Sequence, residues 1–279
     1  MIMEHSSPRP NPRTLFPPQR PSSRPKPRAL ARRNGEIPVF LSLRHKLIST
    51  LAILFFGALF TTNALAQTKP AQSPLPKNYK TIFNNHDLLV MRVHYGPHEF
   101  VPMHDHSAYP TVYVYLNDSG EVRIDHEPPN AFSVTRPSTH TGAFRIAPGM
   151  TERHSITNLS ELSSDFLRVE LKTIPPTDLK QVTRGEVPSP LLPGTHIEFQ
   201  DASLEIDRIV CPPTVGCEAT PLQARSLIVP LTDLDMQPEA AGKHSFKSGE
   251  VAWLPANVKK PLQLSPGAQA LRISLLYPN

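Results

Sequence analysis

Three histidines of this chain are spaced in a way that would allow them to bind a metal ion. Two of them lie in the segment GPHEFVPMHDH, which runs from Gly96 to His106. Side chains alternate along a β-strand, so His104 and His106 point to the same face, about 7 Å apart. From there both imidazoles can reach one metal ion, for which nitrogen–zinc bonds of about 2.0–2.1 Å are typical. Because the chain has 12 histidines, an HxH pair also arises readily by chance, and a third ligand is needed to support a site.

The third histidine follows a turn later in the chain. The segment GAFRIAPGMTERHSITN places Pro148-Gly149 shortly before His154 and Asn158. A Pro-Gly pair reverses the chain, and a barrel can bring the strand after it beside the HxH strand. A third histidine on a neighbouring strand strengthens the case for a metal site, and Asn158 is expected to hold the end of the His154 strand. The alternative is a vestigial site whose histidines are hydrogen-bonded or solvated.

The elements that must position these histidines are strands. Short β-branched and aromatic runs are separated by Pro, Gly, Asn and Asp, and no amphipathic helix of ten or more residues is evident after residue 66. The predicted strands are LLVMRVHY (88–95), TVYVYL (111–116), FLRVELK (166–172), SLIVPL (226–231) and ALRISLLY (270–277). This pattern is typical of an all-β sandwich or barrel.

The chain also repeats itself, which indicates two related domains. Phe83, Leu88, Arg92, Leu116 and Asp118 fall against Phe199, Leu204, Arg208, Leu231 and Asp233. Further on, FRIAPG (144–149) matches VAWLPA (251–256), and LRVEL (167–171) matches LRISL (271–275). We therefore predict a first domain over 78–175, a Pro-rich linker over 176–194 and a second domain over 195–279.

The two histidine segments resemble the cupin superfamily, whose motifs run G-x5-H-x-H-x3,4-E-x6-G and G-x5-P-x-G-x2-H-x3-N. The resemblance implies two double-stranded β-helix (jelly-roll) barrels in tandem, a bicupin, in which His104, His106 and His154 bind a divalent metal ion such as Fe, Mn, Zn or Ni. This sequence departs from the motif at the fourth ligand, because the expected Glu falls on Pro110 or Thr111. Three histidines with open positions for water or substrate remain a workable catalytic arrangement.

Two other glutamates lie near the ligand strands. Glu99 and Glu152 do not match the motif spacing, so neither is named as a ligand. Three tyrosines and four other histidines are weaker candidates for a functional role. Tyr113 and Tyr115 share one strand face and, with Tyr109, are candidates for a pocket wall or for plain core. His86, His94, His98 and His140 lack partners at useful spacing and are expected on the surface or in loops.

The second domain is expected to be degenerate. The stretch EATPL (218–222) falls against the HxH pair, and Pro261 falls against His154. The arginines of the first domain nevertheless have counterparts in the second. Arg92 matches Arg208, and Arg168 matches Arg272. An arginine that is retained in a domain without metal ligands is more consistent with packing or an ion pair than with catalysis. We therefore expect these arginines to have a structural role outside the active site.

The basic character of the chain lies in its first residues. Residues 1–46 hold ten of the 29 Lys and Arg and two of the 24 Asp and Glu, whereas 67–279 holds 19 basic and 22 acidic residues. The overall charge of +5 therefore gives no support for nucleic-acid binding. Residues 1–43 have the Pro- and Arg-rich composition of a disordered leader.

A secretory signal peptide is predicted over 44–66. Arg44-His45-Lys46 precede the apolar run LISTLAILFFGALF, and Ala64-Leu65-Ala66 forms an A-x-A cleavage site. We expect cleavage after Ala66, export to the periplasm or the exterior, and no membrane attachment of the mature part. An uncleaved anchor and a translation start near Val39 or Leu41 are the alternatives. Export would favour a disulfide between Cys211 and Cys217, with two free thiols as the other possibility.

Three classes of function are compatible with the sequence. One is metal-assisted chemistry on a small molecule in the first barrel, of the dioxygenase or isomerase type that the resemblance implies. Another is a non-catalytic extracytoplasmic module that binds a small ligand, and a third is a structural role in which the second domain covers a face that another cupin would bury by dimerising. A homo-oligomer is also possible. No G-x-S-x-G elbow, HExxH helix or phosphate loop is present, so no catalytic nucleophile is named.

Overall fold

The chain folds into two antiparallel β-barrels, as described by a computed structural model for residues 74–128, 131–220, 223–237 and 243–276. These residues contain strands, turns and loops, and none forms a helix long and apolar enough to cross a bilayer. The predicted all-β double barrel is thus confirmed. The leader and signal peptide predicted over 1–66 lie outside the described residues.

The first barrel consists of a six-stranded and a four-stranded sheet. Its strands are β1 (Tyr79–Asn84), β2 (Leu88–Tyr95), β3 (Phe100–His106), β4 (Thr111–Tyr115), β5 (Val122–His126), β6 (Ser133–Arg136), β7 (Phe144–Ala147), β8 (Glu152–Asn158), β9 (Ser164–Leu171) and β10 (Thr183–Gly185). The larger sheet has the order β1-β2-β9-β4-β7-β10 and the smaller one β3-β8-β5-β6. Residues 183–185 of the predicted linker therefore form an edge strand, β10, which pairs with β7.

The second barrel repeats this plan. Its strands are β11 (Gly194–Gln200), β12 (Leu204–Val210), β13 (Cys217–Ala219), β14 (Arg225–Pro230), β15 (Leu234–Gln237), β16 (His244–Phe246), β17 (Ala252–Leu254), β18 (Leu262–Leu264) and β19 (Gln269–Leu275). The sheets have the orders β11-β12-β19-β14-β17 and β13-β18-β15-β16. Cys211 and Cys217, at the passage from β12 to β13, form a disulfide, as predicted.

The strand registers confirm the internal repeat residue by residue. Arg92 pairs with Leu167 between β2 and β9, and Arg208 pairs with Leu271 between β12 and β19. A β-bulge precedes Phe83 in β1, and another precedes Phe199 at the matching place in β11. The sequence alignment of the two halves therefore describes equivalent positions in the two barrels.

Alternation along the strands divides the apolar residues between three cores. One set of side chains from the larger sheet of the first barrel, including Val90 and Val169, packs against residues of the second barrel such as Ile206 and Leu271. The alternate set, which includes Met91, points into the first barrel. A third core fills the second barrel. The two barrels thus share a buried apolar layer that belongs to neither alone.

This shared layer predicts cooperative unfolding of the two barrels. Leu271 is fully buried in it, so Leu271→Ala should lower the free energy of unfolding by about 2–5 kcal/mol. Leu192→Ala, at a side chain that is 58% exposed, should change it by no more than about 0.5 kcal/mol. Urea unfolding of the full chain, followed by fluorescence and circular dichroism, should give one coincident transition. Two separate transitions, of which Leu271→Ala shifts only one, would contradict a shared core.

Candidate metal centre

The three predicted histidines meet inside the first barrel. β3 and β8 are neighbours in the smaller sheet, and their register sets His104 directly opposite His154. His106 lies on the same strand face as His104, as expected from the alternation of side chains. The ring centroids are 4.8 Å apart for His104 and His106, 4.9 Å for His104 and His154, and 5.0 Å for His106 and His154. All three side chains are buried.

A proline shapes the strand that carries the HxH pair. The register of β3 shifts between Val101 and His104, and Pro102, which has no N–H to donate to a neighbouring strand, lies within this irregular stretch. The carbonyl of Pro102 accepts a hydrogen bond of 2.7 Å from Nδ1 of His104. Because a carbonyl oxygen can only accept, Nδ1 carries the proton and Nε2 presents its lone pair.

Tyr79 of β1 contacts His104 and His106. Its hydroxyl lies 3.0 Å from Nε2 of His104, and it therefore donates to that nitrogen. The hydroxyl of Tyr95 lies 2.7 Å from that of Tyr79 and supplies the next hydrogen bond of the chain. The ring of Tyr79 also contacts His106, with 5.1 Å between centroids. The sequence offered no motif for Tyr79, and its role comes from the pairing of β1 with β2.

The histidines are held in their neutral form. Burial is the main cause that lowers the pKa of all three, and the positive charge of Arg168 adds to it. The pKa of His154 falls to about 2. Neutral imidazole is the form that binds metal ions.

A carboxylate and a fourth histidine adjoin this group. Glu152 precedes His154 by two residues on β8, and its Oε2 lies 3.8 Å from Nδ1 of His154. His126 ends β5 directly opposite His154. Together His126, Glu152 and His154 form a second set of possible ligand atoms, which lie within 4.8 Å of one another like those of the first set. His154 belongs to both sets.

Of the two glutamates that the motif spacing left unassigned, only Glu152 lies beside the histidine group. Glu99 accepts hydrogen bonds from the Gly96 amide and from Asn78, outside the histidine group, whereas Glu152 lies within it. His126 was missed altogether. A signal for it existed, because His126 lies two residues after Ile124 in a strand whose inward face Ile124 marks.

The donor set fits a divalent metal ion. Nε2 of His106 and Nδ1 of His154 are buried and have no hydrogen-bond partner among the described residues. Buried polar atoms are ordinarily paired, and a shared ion would satisfy such nitrogens. Three neutral imidazoles with a nearby carboxylate suit zinc, iron, nickel or manganese.

Comparison with known proteins identifies the fold. No protein-family model matches the chain, and no curated protein sequence matches it either. Among solved structures, AerE from Microcystis aeruginosa superposes with a TM-score of 0.52 at 14% identity, over 74% of this chain and 96% of AerE. YhaK from Escherichia coli gives 0.51 at 13% identity, over 71% of this chain and 94% of YhaK. The protein has the bicupin fold. At this identity the likeness extends to the fold alone.

Asn158 holds the end of the His154 strand, as predicted. It is buried at the end of β8, and its Nδ2 donates to the carbonyls of Gly96 and Leu162. Its Oδ1 accepts from the amide of Ser160. Asn158 thereby ties the β8–β9 turn and the start of the β3 segment to the strand that carries His154.

A cavity in the first barrel opens onto His154. It has about 540 Å³ of empty space, a figure that includes space open to solvent. Tyr113 and Tyr115, the aromatic candidates of β4, line it, as do Arg136 and Arg168. Tyr109 is instead partly exposed outside it.

One arginine assigned to packing lies in this cavity wall. Arg168 is buried, donates to Glu170 at 3.0 Å and to the hydroxyl of Tyr113 at 2.5 Å, and lies 3.8 Å from Glu152. Arg168 thus makes the kind of ion pair expected of a structural residue, and it also lies in the wall of the cavity. Its repeat partner, Arg272, pairs with Asp207 inside the second barrel. The sequence match placed the two at equivalent positions but did not show which groups surround them.

The second barrel has apolar side chains on the strands that correspond to the histidine-bearing strands of the first barrel. Its β13 and β18 carry no histidine, and its core contains Ile228, Met236, Leu262 and Leu264. Among the described residues, the two ligand groups of three both lie in the first barrel. The four histidines expected on the surface, His86, His94, His98 and His140, are indeed exposed.

Proposed function

We propose that this protein binds one divalent metal ion through His104, His106 and His154, and that a small molecule enters the adjoining cavity and is held or converted there. The observation that carries the proposal is the convergence of three buried, neutral imidazoles, two of which have a buried nitrogen without a hydrogen-bond partner. The iron, manganese, zinc or nickel class follows from these donors.

The residues of the barrel have distinct parts in such a site. When bound, a divalent ion supplies Lewis-acid chemistry at its open positions. Glu152 is placed to accept or donate a proton beside His154, and Arg168 holds a positive charge next to that carboxylate. An ion bound by Nε2 of His104 would replace the hydrogen bond from Tyr79, whose hydroxyl would keep its bond to Tyr95 beside the ion. The aromatic wall limits the access of water.

We also propose that the mature protein works outside the cytoplasm. The predicted signal peptide and the disulfide between Cys211 and Cys217 support this location, because disulfides persist in oxidising compartments. A non-catalytic binding module is the second candidate function. It is supported by the second barrel, whose core includes Ile228, Met236 and Leu264 and whose apolar outer face packs on the first barrel.

The metal proposal is tested by elemental analysis of the full chain, produced with a tag that does not bind metals. We expect one ion per chain in the unchanged protein and almost none in the variant His104→Ala with His154→Ala. The matched control is His196→Ala with His244→Ala, two exposed histidines of the second barrel, which should keep the ion. An unchanged protein that remains nearly free of metal after incubation with zinc, iron, manganese and nickel would overturn the proposal.

A further inference from the structure

Three guanidinium groups surround the ring of Tyr113 in the first barrel. The register of β4 places Tyr113 opposite Arg145 of β7 on one side and Arg168 of β9 on the other. Arg136 reaches the same ring from β6 of the other sheet. The Cζ atoms of Arg145, Arg168 and Arg136 lie 4.3, 5.4 and 5.5 Å from the ring centroid.

These three charges are not equally compensated. Arg168 has the carboxylate of Glu170. Arg145 is only 8% exposed, yet its Nε and Nη2 are buried without a hydrogen-bond partner. Among the described residues neither Arg145 nor Arg136 makes a salt bridge. A buried guanidinium without an anion is costly, and cation–π contact with one tyrosine offsets only part of that cost.

Arg145 also lies in the wall of a second cavity. This cavity has about 360 Å³ of empty space including its opening to solvent, and Arg136, Arg184 and Glu186 are among its other charged residues. Glu186 is exposed, so solvent screens its charge. Tyr115 and Arg136 line both this cavity and the one that opens onto His154. The two cavities are therefore neighbours that share a wall.

We propose that Arg145 and Arg136 bind the carboxylate of a small organic acid, whose apolar body lies against Tyr115 and Phe166 in the cavity that opens onto His154. This rests on the proposed function for the use of that cavity by a small molecule, but it does not require the metal ion. A guanidinium presents its donors as a planar fork that matches a carboxylate. Tyr115 of the shared wall and Phe166 of the cavity that opens onto His154 suit an apolar or aromatic body.

The test compares acids with neutral amides of the same shape. Benzoate, phenylacetate and pentanoate are titrated into the full chain by calorimetry, beside benzamide, phenylacetamide and pentanamide, and inorganic phosphate is a separate arm. At least one acid should bind about 10–100-fold more tightly than its amide, because hydrogen bonds to charged groups contribute that much. Equal affinity within all three pairs would overturn the proposal, and so would binding of phosphate without binding of any acid.

Arg145→Met gives two readouts of opposite sign. It should reduce the affinity for the acid to that of the amide, and it should raise the midpoint of thermal unfolding in anion-free buffer because an unpaired buried charge is removed. Arg145→Lys keeps the charge but loses the fork, and should bind the acid with intermediate affinity. Arg123→Met, an exposed arginine of the same barrel paired with Asp125, is the control and should bind as the unchanged protein does.

Metal content is measured in the same samples, which separates this inference from the metal proposal. Arg145→Met should retain the ion if one is bound, and His104→Ala should still prefer the acid to its amide. An Arg145→Met protein that binds the acid with unchanged affinity would show that this arginine is not the anion-binding group. If Arg145→Met does not fold, the Arg145→Lys variant decides the same question.

Discussion

Replacing His154 by alanine should abolish the binding of a divalent ion, whereas replacing His126 should leave most of it. His154 is the one histidine shared by both ligand groups of the first barrel, and His126 belongs only to the group with Glu152. Loss of a direct ligand should weaken affinity by more than the roughly 10–100-fold that loss of an outer partner causes. The dissociation constants are measured by competition with a chromophoric zinc indicator after removal of bound metal by a chelator.

The pattern across single variants identifies the group that holds the ion. His104→Ala should behave like His154→Ala, and His126→Ala should weaken binding by no more than about tenfold. His94→Ala, at an exposed histidine of β2, should have no effect. A His126→Ala variant that loses the ion while His104→Ala keeps it would place the site on His126, Glu152 and His154 instead.

Arg208→Ala should destabilise the protein by about 3–5 kcal/mol, whereas Arg92→Ala, at the equivalent position of the other barrel, should cost at most about 1 kcal/mol. Arg208 is 1% exposed. It donates to both carboxylate oxygens of Glu198, at 2.5 and 3.0 Å, and to the carbonyl of Gly142 at 2.8 Å. Removing it leaves the Glu198 carboxylate and a buried carbonyl without their partner.

Arg92 is a matched control because it occupies the same register position in its barrel. It also forms an ion pair, with Asp165 at 2.6 Å, but its side chain is 42% exposed, so water can replace the lost contact. Urea unfolding of the two full-length variants measures the difference. Equal losses of stability would show that burial between the barrels does not strengthen the Arg208 interaction.

The second barrel has a physical role even without ligands. Its larger sheet covers the apolar outer face of the first barrel, and side chains such as Val90 and Ile206 bury one another. The bond from Arg208 to Gly142, a residue with φ of +84°, adds a polar contact between the barrels. The second barrel is thus a packing partner of the first.

Five of the strands, the internal repeat and the three histidines were predictable from the amino-acid sequence alone. These features are local or periodic. β2 was predicted with its observed limits, 88–95, and the HxH pair had to share a face because strand side chains alternate. The internal repeat placed Arg92 against Arg208 and Arg168 against Arg272, as the strand registers show.

The surroundings of those residues could not be predicted from the sequence. Tyr79, His126 and Glu152 reach the histidine group through the pairing of strands that are distant in sequence, and no motif spacing encodes such pairing. Arg168 and Arg272 match in sequence, yet Arg168 lies in the wall of a cavity whereas Arg272 pairs with Asp207 inside the second barrel, since neighbours on other strands differ. Strand periodicity depends on backbone geometry along the chain, whereas charge compensation and cavity shape depend on contacts between strands that only the folded barrel brings together.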